Sequence, residues 1–401
     1  IAAIGVSEQI SFFIFTMGSG FAMGTGIIVA RRFGEGNIHG ARLAASQAII
    51  FMVIFSTLLM VGLLFAISWI VSLFQLPADV ANYTQLYLAA LVIGVPGNFL
   101  LFQINAIMRS TGNAMFPLIV LISTTVLNAI FAPFLIFGIG PFPELGMTGA
   151  GMATAAAQIL GAIIALIGFA RSDFKFTLSK ETLKLDTSML GKIIKLGIPS
   201  SLQMFSVSLS RMGMFKIAGS FGTSAVAAYT LGIKVDLFVF MFVFATGIAV
   251  EIATGQNLGA GNIKRVFQYH KAAIKVLTII MAVLAIGVFF AGEEFAALFT
   301  KDRAIIDATK DYLHITVFAY VFFAIGVIST RVISGAGAAF QSMFIVGGSL
   351  LFIQVPMAYV LSKYTSLGIQ GIWVGVAIGY IAFAIIAWVR MKGGSWMKAR
   401  V

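Results

Sequence analysis

The chain has 401 residues, 60% of them hydrophobic and only 10% charged, with a mean hydropathy of +1.03; a soluble domain carries about 25% charged residues, which excludes water as the main solvent. Cysteine is absent, which removes disulfides, thiolate metal sites and iron–sulfur clusters in one step. The formal net charge of +12 does not imply nucleic acid, because the basic residues sit in short loops between apolar runs, where the positive-inside rule accounts for them.

In chain order, apolar runs bounded by charges or by Pro and Gly predict eleven spans, near 7–30, 43–75, 83–108, 115–139, 147–170, 191–219, 226–255, 270–297, 308–335, 341–362 and 369–390. Lipid leaves backbone groups without water, so such segments are helices or a closed barrel, and continuous apolar runs lack a barrel's alternation. The expected fold class is therefore all-α, a polytopic membrane protein. Arg171–Met189 is the one long polar stretch between spans and reads as a linker. It separates an N-terminal bundle at 1–170 from a C-terminal bundle at 190–401, with the linker at 171–189.

The two halves repeat. Gly34, Gly36 and Asn37 recur as Gly259, Gly261 and Asn262, Tyr87 and Leu88 as Tyr312 and Leu313, and Gly112 as Gly337, all at an offset of 225. Pro133 pairs with Pro356, and LGMTG at 145–149 with LGIQG at 367–371, at offsets of 223 and 222. Ordered pairs at nearly constant spacing indicate duplication. The span at 191–219 would have its partner before the first residue, so about twelve helices in two pseudo-twofold-related bundles of six are expected.

Basic residues follow alternate spans: Arg31, Arg32 and Arg42; Arg109; Arg171, Lys175, Lys180, Lys184, Lys192 and Lys195; Lys264, Arg265, Lys271 and Lys275; Arg331; and the tail Arg390, Lys392, Lys398 and Arg400. Glu293, Glu294, Asp302, Asp307 and Asp311 occupy the opposite side. This asymmetry places the linker and C-terminus in the cytoplasm, with the chain in the cell membrane.

The segments GIAVEIATGQNLGAGNIKRV, GTGIIVARRFGEGNIHGA, AIMRSTGNAMFP, VLNAIFAPFLIFGIG followed by LGMTGAGMAT, and GIPSSLQ together resemble multidrug and toxic compound extrusion (MATE) transporters. The resemblance covers essentially the whole chain, starting at the family's second helix. It implies two six-helix bundles, alternating access, and export of hydrophobic or cationic organic compounds such as drugs and toxins in exchange for protons or sodium. No other cofactor is implied, and a monomer is expected. A lipid-linked saccharide flippase of the same superfamily is the alternative reading, left open by Arg211, Lys216 and Lys234.

Ionisable groups inside a span are costly, so each calls for a functional and a structural account. Asp236 and Lys234 open the seventh span; Asp236 reads as a coupling-cation or substrate contact or as a solvated interfacial acid, and the resemblance makes a cavity-facing Lys234 plausible. Glu251 reads equally as a transport residue or as a structural group, either a snorkelling carboxylate or the partner of a loop base such as Arg331. Glu8 and Gln9 read as a solvated helix end. Gln203, Ser206 and Ser210 share one helical face, which suits either close packing or a cavity lining. Gln103, Asn105 and Asn128 are intramembrane amides that need partners or water. The run LNAIFAP resembles the family's LNxxLDP, with Asn128 in place and Ala132 where the acid would stand. The histidines at 39, 270 and 314 lack metal-ligand spacing, and no G-x-x-x-x-G-K-[ST] phosphate loop or hydrolase signature occurs. An enzyme is therefore not expected.

Overall fold

The computed structural model describes residues 2–172, 174 and 186–399, apart from the side chains of 2–6, 8 and 9. The expectations for Glu8, Gln9 and most of the linker lie outside the described residues. The helices are α1 (Ala2–Gly34), α2 (Ile38–Ser72), α3 (Ala78–Ile93), α4 (Val95–Ser110), α5 (Met115–Phe137), α6 (Gly146–Arg171), α7 (Thr187–Gly219), α8 (Thr223–Gly259), α9 (Ile263–Ala297), α10 (Arg303–Thr316), α11 (Tyr320–Gly335), α12 (Ala339–Ser349), α13 (Val355–Tyr364) and α14 (Ile369–Lys392). A 3₁₀ turn at Val317–Ala319 joins α10 to α11, and a π turn at Leu350–Gln354 joins α12 to α13. No strand occurs among the described residues.

Among the described residues, nine helical segments are long and apolar enough to cross a membrane, and ten if α3 and α4, bent by 44°, count as one broken span. The bend follows from Gly94 and Pro96, since proline at the second position of α4 lacks a donor N–H. The expected eleventh span is present as α7, a 33-residue helix, but it does not belong to that apolar set. Its middle carries Ser200, Ser201, Gln203, Ser206, Ser208, Ser210 and Arg211, which lowers its hydropathy.

The chain divides into two compact units, Ile1–Ser201 and Leu202–Val401. The division falls inside α7, the helix in which the sequence-based C-terminal bundle also begins. Within each unit the same devices recur. Gly36 and Gly261 adopt φ of 72° and 71°, and Gly112 and Gly337 adopt 92° and 93°; this left-handed backbone is open to glycine at little cost. Asn37 and Asn262 cap α2 and α9 by accepting from the amide three residues on.

Helix packing repeats as well. In the first unit, a Cβ at Gly149 or Gly161 of α6 would overlap the Leu135 carbonyl or the Thr124 side chain of α5. In the second, Gly371, Gly375 and Gly379 of α14 lie in the same way against Leu361, Ala358 and Gln354. Without a hydrophobic drive between helices in lipid, small residues at spacings of four let two backbones approach and gain dispersion contacts. Gly20, Gly24 and Gly197 bring the first half of α7 against α1, where the Ser201 hydroxyl donates to the Met17 carbonyl at 3.2 Å.

Candidate functional site

The polar interior of the second unit is built on α8. Tyr229, Ile233, Asp236, Phe240 and Phe244 are spaced by four, three, four and four residues, so they share a face, and all five line a cavity of about 90 Å³. Asp236 is only 4% exposed. One of its carboxylate oxygens accepts from the hydroxyl of Tyr312 at 2.5 Å, the other from Tyr320 at 2.7 Å. A Cβ at Gly232 would overlap the Tyr312 ring, so glycine there lets the ring lie on α8 and reach the carboxylate one turn away. Trp373 of α14 meets the Tyr312 ring edge-on at 5.1 Å, and Phe240 meets Tyr320 at 5.2 Å. Those contacts fix both phenols.

Tyr312 and Tyr380 also line the cavity, and Arg211, Ser210 and Gln354 complete its polar lining. The Ser210 hydroxyl donates to the Leu350 carbonyl at 2.9 Å, answering a backbone group of the π turn. The Gln354 side chain comes from the same turn, is 6% exposed, and its amide oxygen has no hydrogen-bond partner. It reaches this position because Gly379 opposite has no side chain. Single π turns within helices are frequent at functional sites. No ion pair within 4 Å joins Arg211 to Asp236 among the described residues, so the guanidinium supports the carboxylate through the cavity rather than by contact. A lone carboxylate in a dry interior costs several kcal/mol; here two phenolic donors and a nearby cation offset part of that cost.

Carboxylate, phenol and amide oxygens thus converge on one small space, an arrangement suited to a proton or a small cation. Drug-sized ligands need roughly 300 Å³ or more, which this cavity does not provide.

A second buried cluster lies about 22 Å farther along α8, at 1.5 Å per residue. Arg331 of α11 donates to Glu251 at 2.7 Å, and the Ser334 hydroxyl donates to the other carboxylate oxygen at 2.6 Å. Gly335 packs against the Glu251 carbonyl. Close by in sequence, His270 and Ser329 share a buried hydrogen bond of 3.0 Å.

The remaining sequence candidates are placed apart from these clusters. Lys234 is exposed, its Nζ 5.3 Å over the Phe299 ring. Gln203 is buried, and Ser206 donates to the Leu202 carbonyl at 2.8 Å and packs beside Gly347; neither lines the Asp236 cavity, whereas Ser210 does. In the first unit, Gln103 is fully buried with neither amide atom partnered, and Asn105 is half-buried with its oxygen unpartnered. Asn128 donates to the Thr154 hydroxyl of α6 at 3.2 Å. Gln158, absent from the sequence candidates, is 8% exposed with an unpartnered oxygen.

Sequence reasoning also missed Tyr229, Tyr320 and Tyr380, and met Tyr312 only as a marker of the repeat. A usable signal existed: a buried tyrosine needs a partner for its hydroxyl, and Tyr312 and Tyr320 stand eight residues apart in one predicted span.

Comparison with known proteins gives this geometry a context. A family model described as MatE matches residues 1–134 and 199–360. The probable multidrug resistance protein YoeA of Bacillus subtilis (strain 168) is 28% identical over 379 residues, covering 94% of this chain and 82% of YoeA. The probable multidrug resistance protein NorM of Thermotoga maritima is 26% identical over 403 residues, covering 100% of this chain and 86% of NorM. A crystal structure of MATE in complex with MaL6 shares the fold, with a TM-score of 0.92 at 22% identity over 99% of this chain and 89% of that one. With the family model matching most of its length, this multi-pass, all-α chain belongs to the MatE family, and it is a membrane transport protein rather than an enzyme.

Proposed function

We propose that the protein is a secondary active antiporter that exports hydrophobic or cationic organic compounds in exchange for protons or sodium by alternating access, with Asp236 binding the coupling ion. The observation that carries this reading is the buried Asp236 carboxylate, held by Tyr312 and Tyr320 beside the unpartnered oxygen of Gln354. The multidrug names of the relatives supply the substrate class. Size assigns the roles: a cavity of about 90 Å³ accepts an ion, and the organic compound binds elsewhere.

Protonation adds an O–H donor to one carboxylate oxygen and weakens that oxygen as an acceptor, so the hydrogen bonds from the two tyrosines rearrange; a sodium ion would instead draw the carboxylate, phenol and amide oxygens around itself. Either event alters the packing of α8 against α10 and α11. A coupling ion shifts a conformational equilibrium only by its differential affinity for the two states, and this rearrangement is a means of generating one. The linker and C-terminus lie on the cytoplasmic side, and the protein works as a monomer with no cofactor other than its coupling ion.

The test is efflux of a fluorescent organic cation from proteoliposomes under an imposed proton or sodium gradient, comparing the native chain with Asp236→Asn. Efflux that follows one gradient in the native protein and is insensitive to it in the variant supports the reading. Equal gradient dependence in both removes Asp236 from coupling. No gradient-driven efflux, together with translocation of a lipid-linked saccharide, replaces the antiporter with the flippase.

A further inference from the structure

A second, larger cavity of the same unit lies between α7 and α13 and measures about 540 Å³. It is lined by Gly213 and Lys216 from α7, by Ser220 just past the end of that helix, and by Pro356, Tyr359 and Lys363 from α13. Pro356, Tyr359 and Lys363 run i, i+3, i+7 and form a single stripe along α13, and Gly213 and Lys216, three residues apart, share a face of α7. Gly213 packs directly against Val355, which closes the deep end with apolar atoms. The open end lies at the last turns of α7 and α13, where Lys216 and Lys363 are both exposed. Lys363 is anchored with its Nζ 4.5 Å over the Phe221 ring.

We propose that this groove binds one anionic glycerophospholipid of the surrounding leaflet, with an acyl chain against Gly213, Val355 and Pro356 and the headgroup phosphate between Lys216 and Lys363. Charge decides the class of ligand: two cations line the groove and no carboxylate does. Depth agrees, because Tyr359 and Tyr364 are 46% and 74% exposed beside it, and tyrosine collects at the headgroup level of a bilayer. Lysines in the last turn of a helix also answer its carbonyl end, but that role needs no apolar channel beneath them. The volume is of ligand size, unlike the Asp236 cavity.

The test uses the full chain reconstituted in phosphatidylcholine vesicles with a small share of spin-labelled phosphatidylglycerol or, in parallel, spin-labelled phosphatidylcholine. The native protein should immobilise the anionic label in preference to the zwitterionic one. Lys216→Gln with Lys363→Gln should lower that preference by about tenfold, while Lys216→Arg with Lys363→Arg keeps it and Lys275→Gln leaves it unchanged. Equal immobilisation of the two labels by the native protein overturns the proposal, and so does an undiminished preference in the double glutamine variant. Displacement of the label by inorganic phosphate alone also overturns it, since the site would then read a free anion and not a lipid.

Discussion

Arg331 donates to Glu251 across 2.7 Å inside the second unit, with the two side chains only 10% and 9% exposed. Such a pair gains little over a well-packed apolar substitute, yet breaking it strands a charge at a cost of about 3–5 kcal/mol. Arg331→Met is therefore expected to lower thermal stability in detergent by that order, Glu251→Gln by less because Ser334 still has an amide to bond, and Glu251→Leu with Arg331→Met by less than Arg331→Met alone. An Arg331→Met protein as stable as the native one would mean that the pair carries no structural load.

Tyr312 and Tyr320 act on one carboxylate, so their effects on transport should not add. Each Tyr→Phe change removes one hydrogen bond to a charged group, worth about 1.5–3 kcal/mol, and gradient-driven efflux should fall severalfold in either single variant. In the Asp236→Asn background the same changes should cost almost nothing further, since residues in one network couple and distant ones do not. Additive losses in a double-mutant cycle of efflux rates would place the tyrosines in a role independent of Asp236.

Small residues on α14 set how closely it meets α13. A Cβ at Gly375 would overlap Ala358, and overpacking of this kind costs about 1–3 kcal/mol. Gly287 on α9 faces open space, where Gly→Ala in a helix gains roughly 0.5–1 kcal/mol. Thermal unfolding of Gly375→Ala and Gly287→Ala should therefore move in opposite directions. Shifts of the same sign would show that helix propensity, not interhelical contact, governs both.

The parts of this molecule readable from its sequence are those fixed by local chemistry. Apolar runs marked the helices, and paired glycines and asparagines marked the turns that return in both units with nearly equal φ. The break at Gly94 and Pro96 was harder, because an apolar run continues straight through it. The candidate site was legible only in part. Asp236 stands out in the sequence as an intramembrane acid, but its partners Tyr312 and Tyr320 lie 76 and 84 residues away, and only tertiary packing unites them. Lys234 stands two residues from Asp236, about 200° around the helix, and that rotation takes it to the surface.

Gln103 poses the clearest choice between structure and function in the first unit. It is fully buried on α4, and neither its amide nitrogen nor its oxygen has a hydrogen-bond partner. An unsatisfied buried polar group costs about 1–3 kcal/mol, a burden that persists where the group is needed by a ligand or by transported water. Gln103→Met keeps the length and removes the polar atoms, so it should raise thermal stability by roughly 1 kcal/mol. The same variant should weaken efflux of the organic cation, because the amide that would meet the passing compound or its water is gone. A variant that is both more stable and fully active would assign Gln103 no part in transport, and one that is less stable would show that the amide is satisfied in the membrane-embedded protein.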